Sequence, residues 1–95
     1  MDIRAHFEAI YDKQEFNPGN LLQNEVVVLR SCLVLDSQDS LGEVMQKEAN
    51  KIFAADPMAS RGYRHRIRIF GMELDGGGFS ANQNMNIAVK MNQTA

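Results

Sequence analysis

Cysteine is almost missing from this sequence, and the single residue, Cys32, excludes an internal disulfide and points to a reducing compartment. It lies within the apolar run VVVLRSCLVL, where a free cysteine behaves as a small buried hydrophobe. Long hydrophobic runs are missing too. The longest, residues 26 to 35, is ten residues interrupted by Arg30, against about 20 for a membrane-spanning helix. The opening MDIRAHFEAIYDKQEF carries acids where a secretion signal is basic, and has no unbroken apolar segment. A soluble, cytoplasmic protein without a membrane partner is expected.

Histidine is scarce: His6 and His65 fall in different elements, with no paired-ligand spacing to each other or to Cys32, so neither a metal site nor a cofactor is expected. Catalytic patterns are equally thin. Cys32 sits in the middle of an apolar run, not at a strand end or helix N-terminus where a thiolate would be activated, and no nucleophile motif surrounds any serine. Carboxylate pairs such as Asp36 with Asp39, or Glu8 with Asp12, occupy positions where charge is ordinarily solvated. The glycines of DGGGFS, residues 75 to 80, lack the Gly-Lys-Ser/Thr ending of a phosphate-binding loop and read as a hairpin turn with Phe79 as an exposed contact. No enzymatic activity is expected.

What is present is enough apolar sequence for one domain spanning residues 1 to 95, with 44% hydrophobic residues and 23% charged. Ile3, Phe7, Ile10 and Tyr11 recur at helical spacing behind Asp2, which predicts a first helix ending near Phe16 with Glu8, Asp12 and Glu15 on its surface. Asn17-Pro18-Gly19-Asn20 is a turn signal. The Val- and Leu-rich segment from 26 to 35 reads as a strand. Val27, Leu29, Leu33 and Leu35 face one way and Val26, Val28, Cys32 and Val34 the other, so the strand is expected at the centre of the sheet, with Arg30 seeking a carboxylate or solvent. Ser40 followed by Glu43 is a capping box ahead of Leu41, Val44, Met45, Ala49, Ile52 and Phe53, which predicts a helix ending before Pro57.

The last third reads as a hairpin between residues 63 to 74 and 85 to 91, with a loop from Asp75 to Phe79. Its register follows from requiring like side chains to face one another. Position i paired with 154 minus i sets Ile69 opposite Met85, Ile67 opposite Ile87, His65 opposite Val89 and Tyr63 opposite Met91 on an apolar face. The other face then has Arg68 opposite Asn86, Arg66 opposite Ala88, Arg64 opposite Lys90 and Phe70 opposite Asn84. The expected fold is a two-layer α+β domain ordered helix, strand, helix, strand, strand, with a small, mainly antiparallel three-stranded sheet closed by the C-terminal hairpin. So small a sheet leaves edges exposed, and a homodimer is the expected state.

Charge is segregated along the chain. Residues 1 to 60 hold five Lys/Arg against ten Asp/Glu, and residues 61 to 95 hold five against two. The expected site is therefore the strand face bearing Arg64, Arg66 and Arg68, spaced by about 6.6 Å, with Lys90, Asn84, Asn86 and Phe70 beside it. Like charges so placed repel one another, and something anionic should offset them. Three answers are open at this stage: plain solvation; an acidic protein surface, including the first helix of a partner subunit; or a nucleic-acid backbone, with Phe70 as a stacking surface. Self-association and protein contact is the leading expectation, with nucleic-acid binding as the alternative. A small-ligand pocket lined by Met45, Phe53, Tyr63 and Met72 is a weaker one.

Overall fold

The first element is a strand, β1 (Asp2–Asp12), where a helix was expected. Ile3, Phe7, Ile10 and Tyr11 satisfy the helical period, but strict alternation accounts for Ala5 and Ala9 as well. Ala5, Phe7, Ala9 and Tyr11 all lie buried on one face, and Asp2, Arg4, His6, Glu8 and Asp12 turn to the other. The two alanines keep the middle of that strand flat, which lets a helix approach closely.

The computed structural model describes residues 2–13, 24–36, 38–74, 78–80 and 85–91. The elements after β1 are β2 (Glu25–Asp36), α1 (Leu41–Ala54), α2 (Pro57–Ser60), β3 (Tyr63–Leu74), β4 (Gly78–Ser80) and β5 (Met85–Ala88). Among the described residues these make a small α+β fold: one five-stranded antiparallel sheet, ordered β2-β1-β3-β4 with β5 also on β3, and two helices. The expected three-stranded sheet is thus enlarged by β1 and β4. The turn at Asn17–Asn20, and Glu15 and Phe16, lie outside the described residues.

Placing β1 between β2 and β3 moves β2 from the expected centre to an edge. A bulge alters its faces as well. Ala9 pairs with Leu29 and Ile10 with Val27, so Val28 has no opposite residue and the alternation reverses there. Val26 below the bulge and Val28 within it, with Leu33 and Leu35 above it, pack toward the helix. Val27, Leu29 and Val34 stay exposed, at 47%, 43% and 54%. Cys32, expected to be buried, pairs with His6 on the sheet face turned away from α1 and is exposed.

Helix α1 begins where the capping box placed it: the Ser40 hydroxyl accepts from the Glu43 amide. Met45, Ala49 and Phe53 recur at helical spacing and are fully buried against Phe7, Ala9, Tyr11, Ile67 and Ile69. Pro57 ends the helical run as expected and also opens α2 at its first position, with the Asp56 carboxylate accepting from the Met58 amide at 2.9 Å and the Ala59 amide at 3.3 Å. Gly62 then passes over Tyr11. A Cβ there would overlap the Tyr11 ring and come within 2.9 Å of the Asp12 carbonyl.

The hairpin register holds where β3 and β5 pair: Arg66 with Ala88, Ile67 with Ile87, Arg68 with Asn86 and Ile69 with Met85. Beyond the ladder the Val89 amide still donates to the His65 carbonyl. The expected loop is shorter than Asp75 to Phe79, because Gly78–Ser80 turns back as β4 onto Met72–Leu74. Ile67 and Ile69 join the core, while Tyr63, expected beside them, is exposed. His65 is half-buried. Its Nε2 donates to the Ala59 carbonyl, and its ring stacks on Tyr11 and meets Phe53 edge-on at 4.9 Å.

Candidate interaction surface

The sheet face turned away from α1 gathers the charged side chains of three neighbouring strands. Because β1 lies between β2 and β3, carboxylates on β1 and β2 come within reach of the arginines of β3. Arg64 and Arg66 both engage Asp12, the latter at 3.2 Å. The second amino group of Arg66 reaches Glu25 at 2.9 Å, and Arg68 reaches the other oxygen of Glu25 at 3.2 Å. Arg30 answers Glu8 at 3.3 Å, and its guanidinium stands 5.3 Å above the centre of the Phe70 ring. Farther along, Glu73 accepts from His6 at 3.0 Å and lies 3.9 Å from Arg4.

The anionic partners of the arginines are thus supplied by the chain itself. Four guanidiniums, of Arg30, Arg64, Arg66 and Arg68, alternate with three carboxylates, of Glu8, Asp12 and Glu25. This nearly cancels the local charge. The spread of burial separates the members: the Asp12 and Arg66 side chains are 8% and 17% exposed, that of Arg64 is 73% exposed. Arg66 is further held by donating to the Arg64 carbonyl at 2.9 Å. Its two amino groups bridge β1 and β2 across the sheet, so it acts as a clamp. Arg64 adopts a left-handed conformation, φ 50°, at the point where the β1–β3 register shifts, and that kink brings two consecutive outward arginines onto one carboxylate.

The remaining expected residues are distributed differently. Phe70 lies half-buried beneath Arg30 and 6.2 Å from the His6 ring. Asn86 sits opposite Arg68 and is exposed. Lys90 is tied through its main chain to α1, with its amide donating to Gln46 Oε1 at 3.2 Å and its carbonyl accepting from Gln46 Nε2 at 2.6 Å. The ladder ends at Ala88, before the expected Arg64–Lys90 pair. Asn84 lies outside the described residues, and so do the side chain of Phe79 and residues 75 to 77.

Glu8, Asp12 and Glu25 are the members that sequence reasoning did not place here. The alternation in DIRAHFEAIYD was the signal for the first two. For Glu25 there was none, since its position depends on the bulge at Val28.

A second feature is the exposed edge. Among the described residues no strand pairs with the outer side of β2, which carries Val27, Leu29 and Val34 at its surface. Beside it, Val28, Leu29, Lys51, Ile52, Ala55 and Asp56 line an open trough of about 410 Å³ between β2 and the end of α1. Of the residues expected to line a ligand pocket, Met45 and Phe53 are fully buried core and Tyr63 is exposed. Among the described residues no three His, Cys, Asp or Glu side chains converge in a metal-binding group. No helix there is long and apolar enough to cross a membrane.

Compared with known proteins, the chain matches no family model, no curated protein and no solved structure.

Proposed function

We propose that this protein is a non-enzymatic interaction module that self-associates, with β2 as its principal contact surface. The observation that carries the reading is the exposed β2 edge. Twelve residues of strand hold three of the chain's exposed large hydrophobic side chains, and unpaired strand edges are what proteins join when they associate through sheets. Arg64 forms an outer rim open to acidic side chains of a partner, while Arg66 and Arg68 serve the fold. A cytoplasmic setting belongs to the same proposal, because the exposed thiol of Cys32 survives best in a reducing compartment.

Nucleic-acid binding through the arginine face is the weaker reading. Asp12 and Glu25 stand among the guanidiniums and oppose a phosphate backbone.

Sedimentation velocity across a range of concentrations tests the proposal. A monomer–dimer equilibrium is expected, shifted toward monomer by Val34→Asp. A chain that remains monomeric up to about millimolar concentration, where even weak interfaces are populated, contradicts it.

A further inference from the structure

We infer that two copies of the chain join antiparallel along the outer edges of β2, about a two-fold axis at Leu33. The inference rests on the self-association proposed above and specifies its geometry.

The upper part of β2 is built for pairing. From Leu29 to Asp36 the strand runs in unbroken register against β1, and the bulge that distorts the edge lies before it, at Val28. The direction of its main-chain groups follows from Asp36. Its amide donates to the Asp39 carboxylate at 2.9 Å and its carbonyl accepts from the Asp39 amide at 2.9 Å, so both turn away from β1. Alternate residues of an antiparallel strand point their main-chain groups to the same side. The N–H and C=O of Val34 and Cys32 therefore face outward.

Charge then selects the register. Opposed residues of an antiparallel pair must lie on the same face, which for this regular segment restricts the axis to whole residues. An axis at Cys32 sets Arg30 against Val34, and an axis at Val34 sets Asp36 against Cys32. An axis at Leu33 brings the Arg30 side chain toward Asp36 of the other copy, and does so twice, with the main chains parting there because the outer N–H and C=O of Asp36 are already taken by Asp39. It also brings Cys32 opposite Val34, each with outward main-chain groups, which yields four inter-chain hydrogen bonds. On the helix side Leu33 meets Leu33 of the second copy. Arg30, already 3.3 Å from Glu8 and highly exposed, then lies between two carboxylates. Five residues of strand per copy, 31 to 35, form a modest interface, so the dimer depends on concentration.

Cysteine cross-linking reads this register directly. Residues directly opposite have Cβ atoms about 5 Å apart, within disulfide reach, whereas diagonal neighbours at about 7 to 8 Å are not. Under mild oxidation Val34→Cys, which retains Cys32, is expected to give a covalent dimer through Cys32 and the new thiol. The wild-type protein and the double variant Cys32→Ser/Val34→Cys, each with one thiol per chain, are expected to give none. A charge-reversal pair offers a second readout independent of oxidation: Arg30→Asp and Asp36→Arg each weaken homodimers, and mixing the two variants restores dimer to the wild-type level.

If the wild-type protein sediments as a dimer but cross-links through Cys32 to Cys32, or if the mixture fails to recover, the axis at Leu33 is wrong while self-association stands. If wild type remains monomeric, both are wrong.

Discussion

Arg66 and Asp12 stand 54 positions apart in the sequence and 3.2 Å apart in the fold, and this pair decides what the basic hairpin is for. The guanidinium that spans Asp12 and Glu25 joins three strands, so the positive charge of β3 is largely structural. Removing one member of a well-buried ion pair leaves the other charge without its partner, at about 3 to 5 kcal/mol for full burial. Arg66→Ala and Asp12→Ala are therefore each expected to lower unfolding stability by about 2 to 4 kcal/mol in urea titrations, the lower end reflecting partial exposure. Arg64→Ala, removing an exposed arm from the same carboxylate, is expected to cost about 1 kcal/mol or less. Equal losses for Arg64 and Arg66 contradict the clamp.

The hairpin register was legible in the sequence because bulky and charged residues alternate without interruption from Tyr63 to Ile69 on β3, and pairing position i with 154 minus i matched like with like along 85 to 91. Helix α1 was legible from Ser40, Glu43 and the apolar spacing that follows. The first strand was not, because Ile3, Phe7, Ile10 and Tyr11 fit both periods and the deciding residues, Ala5 and Ala9, contribute little hydrophobic signal. That one misreading carried the others with it. Without β1, β2 was placed at the centre, Cys32 was expected to be buried, and the counter-charges of the arginines were not sought within the chain itself. The bulge at Val28, which reverses the faces of β2, leaves no mark in a run of valines.

Gly62 crosses Tyr11 with no room for a side chain. Gly62→Ala is expected to lower the thermal midpoint markedly, with a cost of about 1 to 3 kcal/mol from forced displacement of the Tyr11 ring or the Asp12 backbone. Since Asp12 holds Arg64 and Arg66, the near-ultraviolet circular dichroism of Tyr11 should change too. An unchanged melting curve contradicts this close approach.

Asp56 caps α2, and α2 presents the Ala59 carbonyl to His65. Asp56→Ala is expected to cost about 1 kcal/mol, as N-cap losses usually do. The His65 side-chain resonances should shift in the same variant, although the two residues share no contact in the hydrogen-bond pattern described above. A stability loss without any change at His65 separates the cap from the histidine and contradicts the link.

The ion pairs around Asp12 and Glu25 also predict a weak response to nucleic acid. Fluorescence anisotropy with a labelled single-stranded oligonucleotide is expected to show little binding even at low salt, with no steep dependence on salt concentration. Tight binding that weakens steeply with added salt would move the arginine face back to the centre of the account.

The central claim is that the outer edge of β2 is covered by a second copy. Amide hydrogen exchange, measured at Cys32 and Val34 over a wide range of protein concentration, tests it most directly, because the amides on that edge are protected only while another strand accepts from them. The account predicts fast exchange in dilute solution and slowing as concentration rises, with core amides such as that of Phe7 unaffected. Exchange at Cys32 and Val34 that does not change with concentration contradicts it.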